Sequence, residues 1–198
     1  MRRIDKDSES LIIKENLSYK GKGRDSRLSS LLYDEQNHLC AYTEEYIGRA
    51  DRGEIEHFDP NLKFSDEDGY LNWFLVKAQW NSEKGDKRRW NKFQPLMHPT
   101  AEDFETRILY DKGRYILANE NDIEARNLRD YLKLDDEELA KQRVNYILRL
   151  KSDLILSGLS NQEFIDTRLV MYRNDIYYIR AIEEELQVKV NFDLIEKI

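Results

Sequence analysis

The chain has 198 residues, 40% of them hydrophobic and 36% charged, with a formal net charge of −7. That length bounds it to one domain, or to a small catalytic module fused to a helical one, and it can bury a core without covalent staples. The single cysteine, Cys40, excludes an internal disulfide framework and a cysteine-only zinc site, and no run approaches the ~20 apolar residues that span a bilayer.

The lone cysteine fits a reducing, cytoplasmic setting, and the stretch Met1–Asp7, with no apolar run behind it, does not read as a secretory signal. The acidic balance is awkward for binding phosphate. A nucleic-acid ligand therefore demands a local basic patch or help from a second protein.

In chain order, residues 1–25 read as a loosely ordered polar arm or a solvated tail. A helix is expected over Ser26–Asn37, capped by Ser26 and carrying Leu28, Leu31 and Leu32 at helical spacing. Leu39–Tyr42 and Tyr46–Ile47 look like short extended pieces. Glu54–Phe58 alternates as a strand that stops at Asp59-Pro60, Asn61–Gly69 reads as a polar loop, and Leu71–Val76 as a second strand or the approach to one. Asn81–Trp90 reads as a helix, with Trp73, Phe74 and Trp80 as core residues. Two prolines break Phe93–Pro99, and Ile108–Leu117 suggests a hairpin about Asp111-Lys112-Gly113. Helices then fill 123–133, 136–157, 161–174 and 176–186, with an apolar stripe running from Leu139 to Ile155.

The chemically informative window runs from Leu39 to Lys87. It holds Glu56-His57, Asn72 fifteen positions after His57, Asn81 nine positions later, and then Lys84. Hydrolysis of a phosphodiester needs an activated water and a cation that offsets charge on the phosphate and the leaving oxygen. A histidine suits the first task near neutral pH, and hard oxygen donors hold Mg²⁺ for the second. One carboxylate and one amide oxygen suffice when the substrate phosphate supplies another ligand.

An acidic residue plus histidine at a strand end, a middle asparagine and an Asn-x-x-Lys on the next helix resemble the HNH, or ββα-metal, nucleases. The stretches Cys40-Ala41-Tyr42-Thr43-Glu44, Ile55-Glu56-His57-Phe58-Asp59-Pro60 and Asn81-Ser82-Glu83-Lys84-Gly85-Asp86-Lys87 are similar to one subfamily. It is PtuB, the nuclease of the two-gene Septu anti-phage system, also found with retrons. Pro95-Leu96, Ile108-Leu109-Tyr110 with Gly113, and Tyr131-Leu132-Lys133-Leu134 extend the likeness over about residues 28–150.

The resemblance implies an α+β fold, a small ββα core set in a mostly helical chain. The pattern of the chain itself divides it into an arm (1–25), a nuclease core (26–100) and a mainly helical region (101–198) suited to partner docking. The resemblance makes His57 the general base and Glu56 and Asn81 the ligands of Mg²⁺ or Mn²⁺. Asn72 would fix the loop and orient His57. Lys84 would contact phosphate. The implied partners are nucleic acid, DNA before RNA, and an ATPase of the PtuA type, with no membrane. An inactive scaffold that binds a partner is the alternative.

The subfamily's two Cys-x-x-Cys pairs hold a structural zinc, but the matching positions here are Cys40, Thr43, Lys77 and Trp80. Zinc is not expected at that knuckle, which must be held by packing. The basic run Lys84, Lys87, Arg88, Arg89 and Lys92 offers phosphate contacts or a solvated helix face, and Trp90 within it offers a base platform or a core side chain. His38 and His98 have no comparable company. Asp135, Asp136, Glu137 and Glu138 fit a helix start. Arg143, Tyr146, Arg149 and Tyr172 are candidates for partner docking.

Overall fold

The computed structural model describes residues 1–21 and 24–195. Helices α1 (Leu11–Lys14) and α2 (Ser26–Glu35) lead into strands β1 (Gly53–His57) and β2 (Trp73–Lys77), and helix α3 (Ala78–Lys84) follows β2 without a loop. β1 and β2 are antiparallel, with Gly53 opposite Lys77, Glu56 opposite Phe74 and His57 opposite Trp73. The protein is therefore α+β and mostly helical, with a hairpin and its following helix near the middle of the chain.

The ββα unit is pinned from outside as well as within. The Gln36 amide, just past α2, donates to the Leu75 carbonyl at 2.9 Å and accepts from the Leu75 amide at 2.8 Å. It thus completes the free edge of β2 as a strand would. The helix expected over Asn81–Trp90 is two helices. α3 stops at Gly85, whose φ of 83° an L side chain rarely adopts. Asp86 then caps α4 (Lys87–Lys92) by accepting from the amides of Arg88 and Arg89.

Beyond α4 come α5 (Phe104–Arg107), the hairpin β3 (Ile108–Asp111) and β4 (Arg114–Leu117), and then α6 (Ile123–Tyr131). Lys112 and Gly113 turn that hairpin, both at positive φ. α7 (Glu137–Ser157) starts on an Asp136 cap and ends at Gly158, with φ 69°. α8 (Asn161–Met171) opens on a capping box in which Ser160 and Glu163 satisfy each other's backbone. The last expected helix shortens to α9 (Ile179–Leu186), preceded by a 3-10 turn over Arg173–Asp175.

The arm is not a solvated tail. Met1 and Ile12 are 0% and 1% exposed, the Ile4 amide donates to the Pro99 carbonyl at 3.0 Å, and the Lys6 ammonium donates to the Trp73 carbonyl at 2.5 Å. Its few apolar side chains are spaced to drop into the core, and its polar ones pair with carbonyls there. Residues 22–23 of the arm lie outside the described residues.

Two hydrophobic cores result. One runs from Met1 through the ββα unit to Leu134, crossing the boundary expected at residue 100, and the other joins α7, α8 and α9 with Leu39. Among the described residues no helix is long and apolar enough to cross a membrane.

Candidate functional site

Successive residues of a strand point to opposite faces. β1 therefore presents Glu54 and Glu56 to one side and His57 to the other, although Glu56 and His57 are neighbours in sequence.

The side carrying Glu56 faces α3. Glu56 is 1% exposed, accepts a hydrogen bond from the Tyr42 hydroxyl and is ion-paired with the Lys84 ammonium. Lys84, itself buried, also donates to the carbonyls of His57 at 2.5 Å and Phe58 at 3.2 Å. Burial holds the Tyr42 phenol well above its ordinary value, so it stays a donor. Burial, with the Arg89 guanidinium nearby, pushes Lys84 down to about 7, and the carboxylate against it favours keeping the proton. One turn earlier on α3, Asn81 donates to Glu54 at 2.8 Å. Glu56 and Asn81 thus share a face but no partner.

The side carrying His57 faces the loop between the strands and the arm. His57 is 4% exposed, and its ring meets Tyr19 edge-on at 4.4 Å between centroids. Tyr19 in turn packs on Phe64 and lies under the Lys63 ammonium. The His57 Nε2 approaches the Asp68 carboxylate at 3.1 Å. Burial lowers the imidazole well below its usual value against the pull of that carboxylate, which leaves it neutral near pH ~7, the form a base requires.

Asn72 anchors the loop at both ends. Its Oδ1 accepts from the Asp59 amide at 2.7 Å, while Nδ2 donates to the Asp59 carbonyl and to Asp68 Oδ1, each at 3.1 Å. Both its amide hydrogens are committed there, and its link to His57 runs through Asp68. A cavity of about 710 Å³ opens alongside, lined by Phe58, Asp59, Asn72 and Trp90 but not by His57.

The segment around Cys40, expected to be held by packing, is held by polar contacts as well. Cys40 Sγ accepts from the Lys77 amide at 3.4 Å, and the side chains of Lys77 and Trp80 both reach the Glu45 carboxylate, at 3.5 and 3.3 Å. Three of the four matching positions are therefore drawn together by hydrogen bonds and an ion pair.

The basic run divides. Lys84 is buried in its ion pair, not offered to phosphate, because α3 turns it inward onto Glu56. Arg89 caps the end of α3 by donating to the carbonyls of Glu83 at 3.0 Å and Lys84 at 2.8 Å. Only Lys87, Arg88 and Lys92 face solvent. Trp90 is a core side chain, edge-on to Phe58 and Tyr131.

Of the docking candidates, Arg143 and Tyr146 are buried. Arg143 donates to the Gly113 carbonyl and stacks over Tyr115, and Tyr146 donates to the Asp175 carbonyl. Arg149 and Tyr172 remain exposed.

Sequence reasoning missed Asp68, Tyr19, Tyr42 and Glu54. Asp68 and Tyr19 lie in polar, unpatterned stretches, and only the alternation of β1 placed Glu54 beside Glu56. Comparison with known proteins adds nothing to the geometry: no family model, no curated protein and no solved structure matches the chain.

Proposed function

We propose that this protein is an HNH-type endonuclease that hydrolyses phosphodiester bonds in nucleic acid. The observation that carries the reading is the continuous hairpin-and-helix unit on which Glu56, His57, Asn81 and Lys84 all sit, with Asn72 tying its loop. Glu56 and Asn81, with Glu54 beside them, offer hard oxygens of the kind Mg²⁺ or Mn²⁺ takes. The fit rests on chemistry. Glu56 is a buried carboxylate that demands a positive charge, and the Lys84 ammonium now meets that demand. Among the described residues no three His, Cys, Asp or Glu side chains group as ligands, so an ion there would also draw on the Asn81 amide.

The ion would supply charge to the phosphate and leaving oxygen. The chain's own residues do the rest. Neutral His57 takes the proton of the attacking water, Asn72 keeps the loop from sliding away from it, and Lys87, Arg88 and Lys92 meet the phosphate backbone from α4. None of these groups reads a 2′-hydroxyl, so DNA is favoured over RNA, with tRNA kept as a test substrate. In this reading the enzyme is the effector of a bacterial anti-phage system and works with an ATPase of the PtuA type. Exposed Leu148, Ile155 and Leu156 on α7, and Met171 and Tyr172 at the end of α8, support a docking role for the last helices.

A second reading, a silent scaffold with an HNH-like shape, is favoured by one observation: Glu56, Asn81 and His57 each already have an internal partner. The two separate in a cleavage assay on plasmid and on tRNA with Mg²⁺ or Mn²⁺, with and without the ATPase. The nuclease reading expects cleavage that His57→Ala lowers by on the order of 10²–10⁴ in a protein that still folds cooperatively. Full activity in that variant rejects the mechanism, and no cleavage by any preparation favours the scaffold.

A further inference from the structure

Asp68 sits in the loop that joins β1 to β2, and its side chain is only 4% exposed. Its oxygens are met by hydrogens from several directions. Oδ1 accepts from Asn72 Nδ2 at 3.1 Å and from the indole of Trp73 at 2.8 Å. Oδ2 accepts from the Phe64 amide at 3.2 Å and stands 3.1 Å from His57 Nε2. Nε2 is buried and has no other polar atom as partner, so the Asp68 carboxylate is what it faces, although the pair falls short of a well-formed hydrogen bond.

A carboxylate accepts and does not donate, so the ring nitrogen that faces it must carry the hydrogen. The indole, the amide and the backbone fix the carboxylate, so the ring conforms to it rather than the reverse.

We propose that Asp68 is the positioning residue of His57, holding the ring with Nε2 protonated so that the Nδ1 lone pair is the one that takes a proton. This rests on the nuclease reading for its catalytic meaning, but the arrangement of the ring can be tested without it. The substitution Asp68→Asn makes the test sharp. Two fixed donors meet Oδ1 and one, the Phe64 amide, meets Oδ2, so the amide oxygen takes the Oδ1 position at the cost of the Phe64 bond, and the NH₂ group faces His57. An NH₂ there donates to Nε2 and drives the hydrogen to Nδ1, the wrong tautomer for a base at that atom.

The experiment is ¹⁵N NMR of the ring nitrogens in the full-length protein, at a pH where the imidazole is neutral, followed by steady-state cleavage. The wild type should show the Nε2–H form and Asp68→Asn the Nδ1–H form. The variant's kcat should fall by on the order of 10²–10⁴ with KM little changed. A wild-type ring protonated at Nδ1 overturns the proposal and needs no variant to be stable. So does an Asp68→Asn protein that keeps the wild-type tautomer or full kcat. The predicted tautomers in a protein that cleaves nothing, with or without the ATPase, support the positioning and sink the nuclease reading instead.

Discussion

The two faces of β1 do different work with similar materials. Towards α3, Glu56 and Lys84 are buried against each other and closed by Tyr42. Towards the loop, His57 and Asp68 are equally hidden, but their cover is Tyr19 from the arm and a polar loop tied by Asn72. The first arrangement is part of the hydrophobic core's own wall. The second is two stretches of irregular chain, outside any helix or strand, laid over a ring. Equal burial therefore does not mean equal permanence: what covers a group decides whether a substrate can reach it.

The largest effect should come from breaking the α3 face. Glu56→Ala leaves the Lys84 ammonium buried without its counter-charge, which costs about 3–5 kcal/mol. Urea unfolding measures it, and adding Lys84→Met should restore much of the loss. A cost below about 1 kcal/mol would mean that this face yields as easily as the other.

On the loop face the loss should be smaller and the gain in access larger. Tyr19→Ala removes an aromatic edge contact of about 1 kcal/mol, so His57 should be modified by diethyl pyrocarbonate about fivefold faster. An unchanged rate would mean that the arm does not cover His57 in solution.

A comparable effect, but one confined to part of the pH range, concerns Lys6, which ties the arm to the start of β2. Burial lowers it from its ordinary 10.5 to about 7, partly offset by Glu35. Between those values the unfolded chain binds more protons than the folded one, so stability rises with pH across that window, and below it the folded protein carries the whole penalty. Lys6→Met should flatten that slope and stabilise the protein by about 1–2 kcal/mol below pH ~7, after losing the bond to Trp73. Thermal melts from pH ~6 to ~10 test both the sign and the window.

The elements were legible because their punctuation is local. The alternation of Glu54–Phe58, the Asp111-Lys112-Gly113 turn and the periodic stripe of α7 each need only neighbours in sequence. The break at Gly85 was present in the sequence too, but the Asp86 cap and the positive φ that make it a break only show once α3 and α4 take their places. The site was half legible. The Glu-His pair and Asn81 do fall on one hairpin and the helix that follows it, yet the adjacency of Glu56 and His57 hides that a strand sends neighbours to opposite faces. Asp68 left no trace, since its role depends on a loop returning from eleven residues away to face His57. Lys84, read as a phosphate contact, turned inward because the buried carboxylate across from it required a cation.

The claim that the two faces are separate, one for a cation and one for a base, is tested most directly by Mn²⁺ titration of the full chain, followed by electron paramagnetic resonance. Wild type and His57→Ala should bind the ion alike, while Glu56→Gln and Asn81→Ala should bind it at least tenfold more weakly, a difference of about 1.4 kcal/mol or more. Binding that ignores Glu56 and Asn81, or that vanishes with His57, would contradict the account.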